Sequence, residues 1–174
     1  MQNRFAEMDC YVLAGGPRNP ERDVQREGDM TRLERGYRRY AKVFEKVILV
    51  VKQHQARVPY VNYPHICDEE SDQGAVYGIK TALREAGSEA VFIGSSEIID
   101  FPLELVYDLV TRYDGEMFLG YREWMGRPGE SQPLFGVFHK KLVRKLEQAG
   151  ESIEALRKVL ASEGKLLPLP AHAQ

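Results

Sequence analysis

The residue types best suited to chemistry lie just after the first apolar segment. Residues 10–13 read CYVL and run into Ala14, Gly15 and Gly16, so that Leu13, Ala14, Gly15 and Gly16 spell LAGG. A glycine pair directly after a buried strand lets backbone N–H groups close on a phosphate, because no side chain blocks the approach and successive amides can form an anion-binding nest. Arg18, Arg22 and Arg26 follow, and guanidinium groups there could neutralise phosphate charge. Taken alone, LAGG also fits a plain tight turn. Lys52 and Gln53 stand just after a second apolar run and are candidates for contact with a base or a phosphate, with a solvated strand end as the equal alternative. Cys10 and Cys67 share no CxxC spacing, and His54, His65, His139 and His172 are scattered, which speaks against a zinc or disulfide framework.

These residues need elements that bring them to one rim. Residues 10–13, 47–51 and 90–94 are short apolar runs, as expected of central strands covered on both faces. Thr31 and Glu34 have capping-box spacing, and Leu33, Tyr37, Tyr40, Ala41 and Phe44 recur at helical intervals, which predicts a helix from about residue 31. For Arg32, Arg35, Arg38 and Arg39 on that helix the reading is a solvated face. A second helix follows Gly74 and ends at Gly87, and a third follows Pro102. Further strands are expected at 60–62, 116–121 and 133–138, then two closing helices over about 140–148 and 152–160, and an irregular tail over 165–174. The alternation predicts one α/β domain over 1–174, built on an open, mostly parallel sheet that binds ligands at the carboxyl ends of its strands. Loops 14–29, 52–60, 67–74 and 95–100 then share one rim.

Charge and hydropathy narrow the partners. The 174 residues carry 24 Lys and Arg against 26 Asp and Glu, a net charge of −2, which gives no global electrostatic reason to expect nucleic acid. No apolar run approaches the roughly 20 residues of a membrane helix. Residues 1–7 lack the apolar stretch of a secretory signal, so a cytoplasmic location away from membranes is the expectation.

Three motifs occur in a telling order: LAGG at 13–16, DEESDQGAVYGI at 68–79 and QPLF at 132–135. In that order and spacing the sequence resembles the molybdenum cofactor guanylyltransferase (MobA-like) nucleotidyltransferases over nearly its whole length. The resemblance implies a three-layer, Rossmann-like fold of the nucleotide-diphospho-sugar transferase type. It implies GTP as the nucleoside triphosphate, Mg²⁺ as cofactor, molybdopterin or another phosphorylated small molecule as acceptor, and a partner protein as a further candidate. Leu13, Ala14, Gly15 and Gly16 would wrap the nucleotide phosphates, and Arg18 and Arg22 would neutralise charge in catalysis. Asp68, Gly74, Gly78 and Ile79 match the family's second edge of the site.

The family's metal loop carries Cys, Asp, an aliphatic residue and Pro after a strand. Aligned on 90–94, this chain has Ser96, Glu97 and Ile99 at the Cys, Asp and Pro places, which makes Glu97 the metal ligand and Asp100, otherwise a helix cap, its fallback. After LAGG, the family's Arg and its Asp–Lys pair are replaced by Pro20, Val24 and Gln25. Trp124 lies where the family contacts its acceptor, either as a stacking surface or as a loop anchor. The departures keep two alternatives open: a catalytically degenerate homologue that binds nucleotide or cofactor, and a related cytidylyl- or sugar-nucleotidyltransferase.

Overall fold

The computed structural model describes residues 4–14, 25–52, 62–68, 74–127 and 129–173. The apolar runs become strands because both of their faces are covered: β1 (Cys10–Leu13) and β4 (Val47–Lys52) are buried along their whole length. Between them a small hairpin of β2 (Arg26–Glu27) and β3 (Met30–Thr31) leads into helix α1 (Arg32–Tyr40). The capping box forms as the spacing predicts, with Thr31 Oγ1 accepting from the Glu34 N–H at 3.1 Å and Glu34 accepting from the Thr31 N–H at 2.6 Å. The chain continues through β5 (His65–Asp68), α2 (Ala75–Glu85), β6 (Ala90–Ser95), α3 (Leu103–Arg112), β7 (Phe118–Tyr121), β8 (Gly136–His139), α4 (Val143–Gln148), α5 (Ile153–Glu163) and β9 (Lys165–Leu167).

Among the described residues, seven strands form one sheet in the order β5-β4-β1-β6-β8-β7-β9. Every pairing is parallel except the two made by β8, which runs against β6 and β7. Helices cover both faces, giving the expected three layers. Leu33 and Tyr40 of α1 and Leu105, Val106 and Leu109 of α3 pack with Val12, Leu49 and Phe92 on one side. On the other, Val76, Ile79 and Leu83 of α2, Leu146 of α4 and Leu156 of α5 pack with Tyr11, Val50 and Ile93.

Two parts of the chain differ from the sequence reading. The strand expected at 60–62 falls largely outside the described residues, and the strand beside β4 is His65–Asp68, part of which the sequence assigns to a loop. It is an edge strand whose only fully buried residue is Asp68, so it carries no apolar signature. The tail is not irregular throughout: Lys165–Leu167 adds in parallel to β7, followed by a short 3-10 turn at Ala171–Ala173. Pro168 and Pro170 mask that strand in the sequence, and it stops directly before Pro168, which has no N–H to give a ladder. Smaller shifts move β7 to start at Phe118, β8 to start at Gly136, and the end of α2 to Ala86 rather than Gly87.

Candidate active site

From β1 the chain passes first to β4 and β5 on one side and then to β6 on the other. An open α/β sheet has its ligand crevice at such a switch point, at the carboxyl ends of the strands. A cleft lies there, with Leu13 of β1 and the following Ala14 on one wall, Lys52 and Asp68 on its floor, Gly74 at the start of α2 and Glu97 on its lip.

The floor is an ion pair. Lys52 and Asp68 are register partners at the ends of adjacent parallel strands, so their side chains leave the sheet on the same face. Lys52 Nζ meets Asp68 Oδ2 at 2.6 Å, and Thr81 Oγ1 donates to Asp68 Oδ1 at 3.3 Å. Both charged side chains are nearly closed to solvent, at 8% and 1% exposure. A buried pair of this kind holds together only while both charges are present, because removing one strands the other. Beside it, Gly74 has φ +94°, a conformation that a side-chain-bearing residue adopts only under strain. Gly74 offers no side chain to cap α2, so the first amides of that helix carry its positive dipole end beside the cleft.

Glu97 stands on a turn pinned to the sheet. The Ser96 N–H donates to the Leu13 carbonyl at 2.9 Å, the Ile98 N–H to the Ser95 carbonyl at 3.0 Å and the Glu97 N–H to Ser95 Oγ at 3.2 Å. The Glu97 side chain is exposed on the cleft lip. Asp100 is exposed as well, and it does not cap the following helix, whose cap position is taken by Pro102 without any side-chain bond.

Of the residues singled out from the sequence, Leu13, Ala14, Asp68, Gly74 and Glu97 line this one cleft, together with Lys52 and Gly78. Gly15, Gly16, Arg18, Arg22 and Gln53 lie outside the described residues. The Trp124 ring is half-buried and packs on Phe135 with centroids 4.8 Å apart, and its backbone bridges to Arg127, contacts that suit a loop anchor. Of the arginines of α1 expected on a solvated face, Arg35 and Arg38 are exposed, whereas Arg32 and Arg39 are half-buried and donate to the carbonyls of Glu97 and Phe101. The partnership of Lys52 with Asp68 was not foreseen, because it depends on strand register. Among the described residues no three or more His, Cys, Asp or Glu side chains gather as a metal cage. No helix of these residues is long and apolar enough to cross a membrane.

A family model described as the MobA-like NTP transferase domain matches residues 21–167. The chain belongs to this family. It is therefore a nucleotidyltransferase by family, as the motifs imply. A curated relative, a probable molybdenum cofactor guanylyltransferase of Aquifex aeolicus, is 28% identical over 142 residues, spanning 80% of this chain and 67% of the relative. Among solved structures, molybdopterin-guanine dinucleotide biosynthesis protein A from Archaeoglobus fulgidus superposes with a TM-score of 0.68 at 16% identity, over 95% of this chain and 84% of that one. The 4-diphosphocytidyl-2C-methyl-D-erythritol synthase of Anaerococcus prevotii gives 0.70 at 13% identity, over 98% and 89%. These two likenesses show the fold.

Proposed function

We propose that the chain transfers a nucleotide from a nucleoside triphosphate, GTP by its relationship, to the phosphate of molybdopterin or a similar phosphorylated small molecule. The observation that carries this reading is the convergence of Asp68, Lys52, Gly74 and Glu97 on one cleft at the sheet's switch point. The donor set suits Mg²⁺, which takes one or two carboxylates, keeps several waters and binds substrate phosphates. Asp68 already serves Lys52 and Thr81 with its two oxygens, so among the described residues lining the cleft Glu97 is the carboxylate left to hold the metal. When bound, Mg²⁺ neutralises charge growing on the α-phosphate and the leaving pyrophosphate.

An acceptor phosphate oxygen attacks the α-phosphorus in line and pyrophosphate departs, so no side-chain nucleophile is needed. Gly15 and Gly16 hold phosphates through backbone amides, Arg18 and Arg22 neutralise them, and the Lys52–Asp68 pair forms the polar floor beneath. Gln53 is a base-contacting candidate. A second reading, a binding module without turnover, is motivated by Glu97 standing in the family's Asp place and by Pro20, Val24 and Gln25 in the loop.

A thermal-shift panel of GTP, CTP, ATP and UTP, each with and without Mg²⁺, tests the proposal. A ligand at about 100 times its Kd stabilises a fold by roughly 2.7 kcal/mol. A shift with GTP that requires Mg²⁺ and is lost in Glu97→Ala is the expected result. Binding without pyrophosphate release in a parallel turnover assay would favour the module, and no shift with any nucleotide would sink the transferase and leave a cofactor-binding module as the reading.

A further inference from the structure

One face of α1 is committed to the turn that carries Glu97. Arg32 Nη2 donates to the Glu97 carbonyl at 3.3 Å, Tyr40 Oη donates to the Ile98 carbonyl at 3.3 Å, and Arg39 Nη2 donates to the Phe101 carbonyl. At Gly36 the helix comes so near that a β-carbon would lie 3.4 Å from the Ser96 Cα. Positions 32, 36, 39 and 40 recur at the three- and four-residue spacing of a single helix face. The Tyr40 ring occupies the hollow left by Gly94, where any β-carbon would overlap its ring and hydroxyl. Tyr40 is fully buried, and that burial, reinforced by nearby Cys10, pushes its phenol well above the ordinary range. Its O–H is directed at the Ile98 carbonyl as a hydrogen-bond donor.

Two donors from α1 thus hold the carbonyls of residues 97 and 98, while β1 holds the Ser96 amide from the opposite side. Fixing these peptide planes fixes the direction in which the Glu97 side chain leaves the backbone. That direction matters more for a glutamate than for an aspartate, since its oxygens sit one bond further out and Mg²⁺ tolerates little departure from octahedral geometry. Resting on the assignment of Glu97 made above, we propose that α1 is the template for the metal-binding carboxylate, with Tyr40 and Arg32 as its positioning residues. Neither touches nucleotide or metal; both act through the backbone of the turn.

The test uses Mn²⁺ alone as probe, its free-ion signal followed by electron paramagnetic resonance in titrations of the intact chain, Tyr40→Phe, Glu97→Ala and the double variant. Tyr40→Phe removes one hydroxyl and leaves the ring in its hollow, and urea unfolding reports on the fold; Arg32→Met is the second variant should Tyr40→Phe fail to fold. Removing a residue that orients a metal ligand weakens affinity by about tenfold or more. We expect that loss for Tyr40→Phe, at least as large a loss for Glu97→Ala, and no further loss in the double variant, because Tyr40 acts only through Glu97. Unchanged Mn²⁺ affinity in Glu97→Ala would overturn the assignment of Glu97 and the template with it. If Glu97→Ala weakens binding while Tyr40→Phe does not, or if the two losses add, the template alone is overturned.

Discussion

A lysine and an aspartate buried together are stable only as a pair, and the consequences at Lys52 and Asp68 are measurable. Lys52→Met should destabilise the fold by about 3 kcal/mol, since Asp68 would remain buried with the Thr81 hydroxyl donating to it and no opposing ammonium at 2.6 Å. Lys52→Met with Asp68→Leu removes both charges and should lie closer to the parent than the single change does; urea unfolding at neutral pH measures both. Glu116 makes a different kind of prediction. Burial by itself would raise its carboxyl, but hydrogen bonds from the Asp114 N–H and its own backbone N–H, with Lys165 beside it, outweigh burial and hold it below the ordinary 4.5. The Asp114 N–H lies 2.8 Å from Glu116 Oε2 and Lys165 Nζ 3.3 Å from Oε1. A carboxyl lowered on folding contributes stability above its unfolded value and loses it as pH falls through the folded one. Stability should therefore drop as pH descends below about 4.5, and Glu116→Gln should show a shallower acid-side loss in urea titrations across that window.

Elements set how much of this was readable. The Thr31 and Glu34 spacing gave α1 its start, and unbroken apolar runs marked β1, β4 and β6, because local chemistry alone decides those features. The motif residues Asp68, Gly74 and Glu97, singled out in the sequence, line one cleft, yet the Lys52 partner of Asp68 was not legible, since two strands must first align. The work of α1 was hidden for another reason: its arginines and Tyr40 bond to carbonyls, and a carbonyl leaves no mark in a sequence. β5 and β9 escaped because edge strands need only one covered face and short length. The fit between α1 and β6 yields a prediction of its own. Gly94→Ala drives a methyl into the Tyr40 ring, and overpacking of this kind costs about 1–3 kcal/mol, which a shift in the urea midpoint at unchanged slope would register.

At the scale of the molecule, the sheet ends in β5 on one side and β9 on the other. Three residues of β9 cover the outer edge of β7, with Leu167 buried at the end of the pairing. Deleting 165–173 should expose that edge, lower the thermal midpoint and promote self-association, detectable by light scattering; a monomeric product of parental stability would show that the edge needs no cover. The opposite edge has a subtler protection. β5 is four residues long and offers little apolar pattern to choose among alignments on β4. Sliding it by one residue would turn its side chains to the wrong faces. Sliding it by two would keep the faces but bring Asp68 opposite Val50, or draw it past the end of β4, leaving each charge buried alone. Only the native alignment lets the two charges cancel, so the floor of the cleft doubles as a proofreading mark for the strand that builds it.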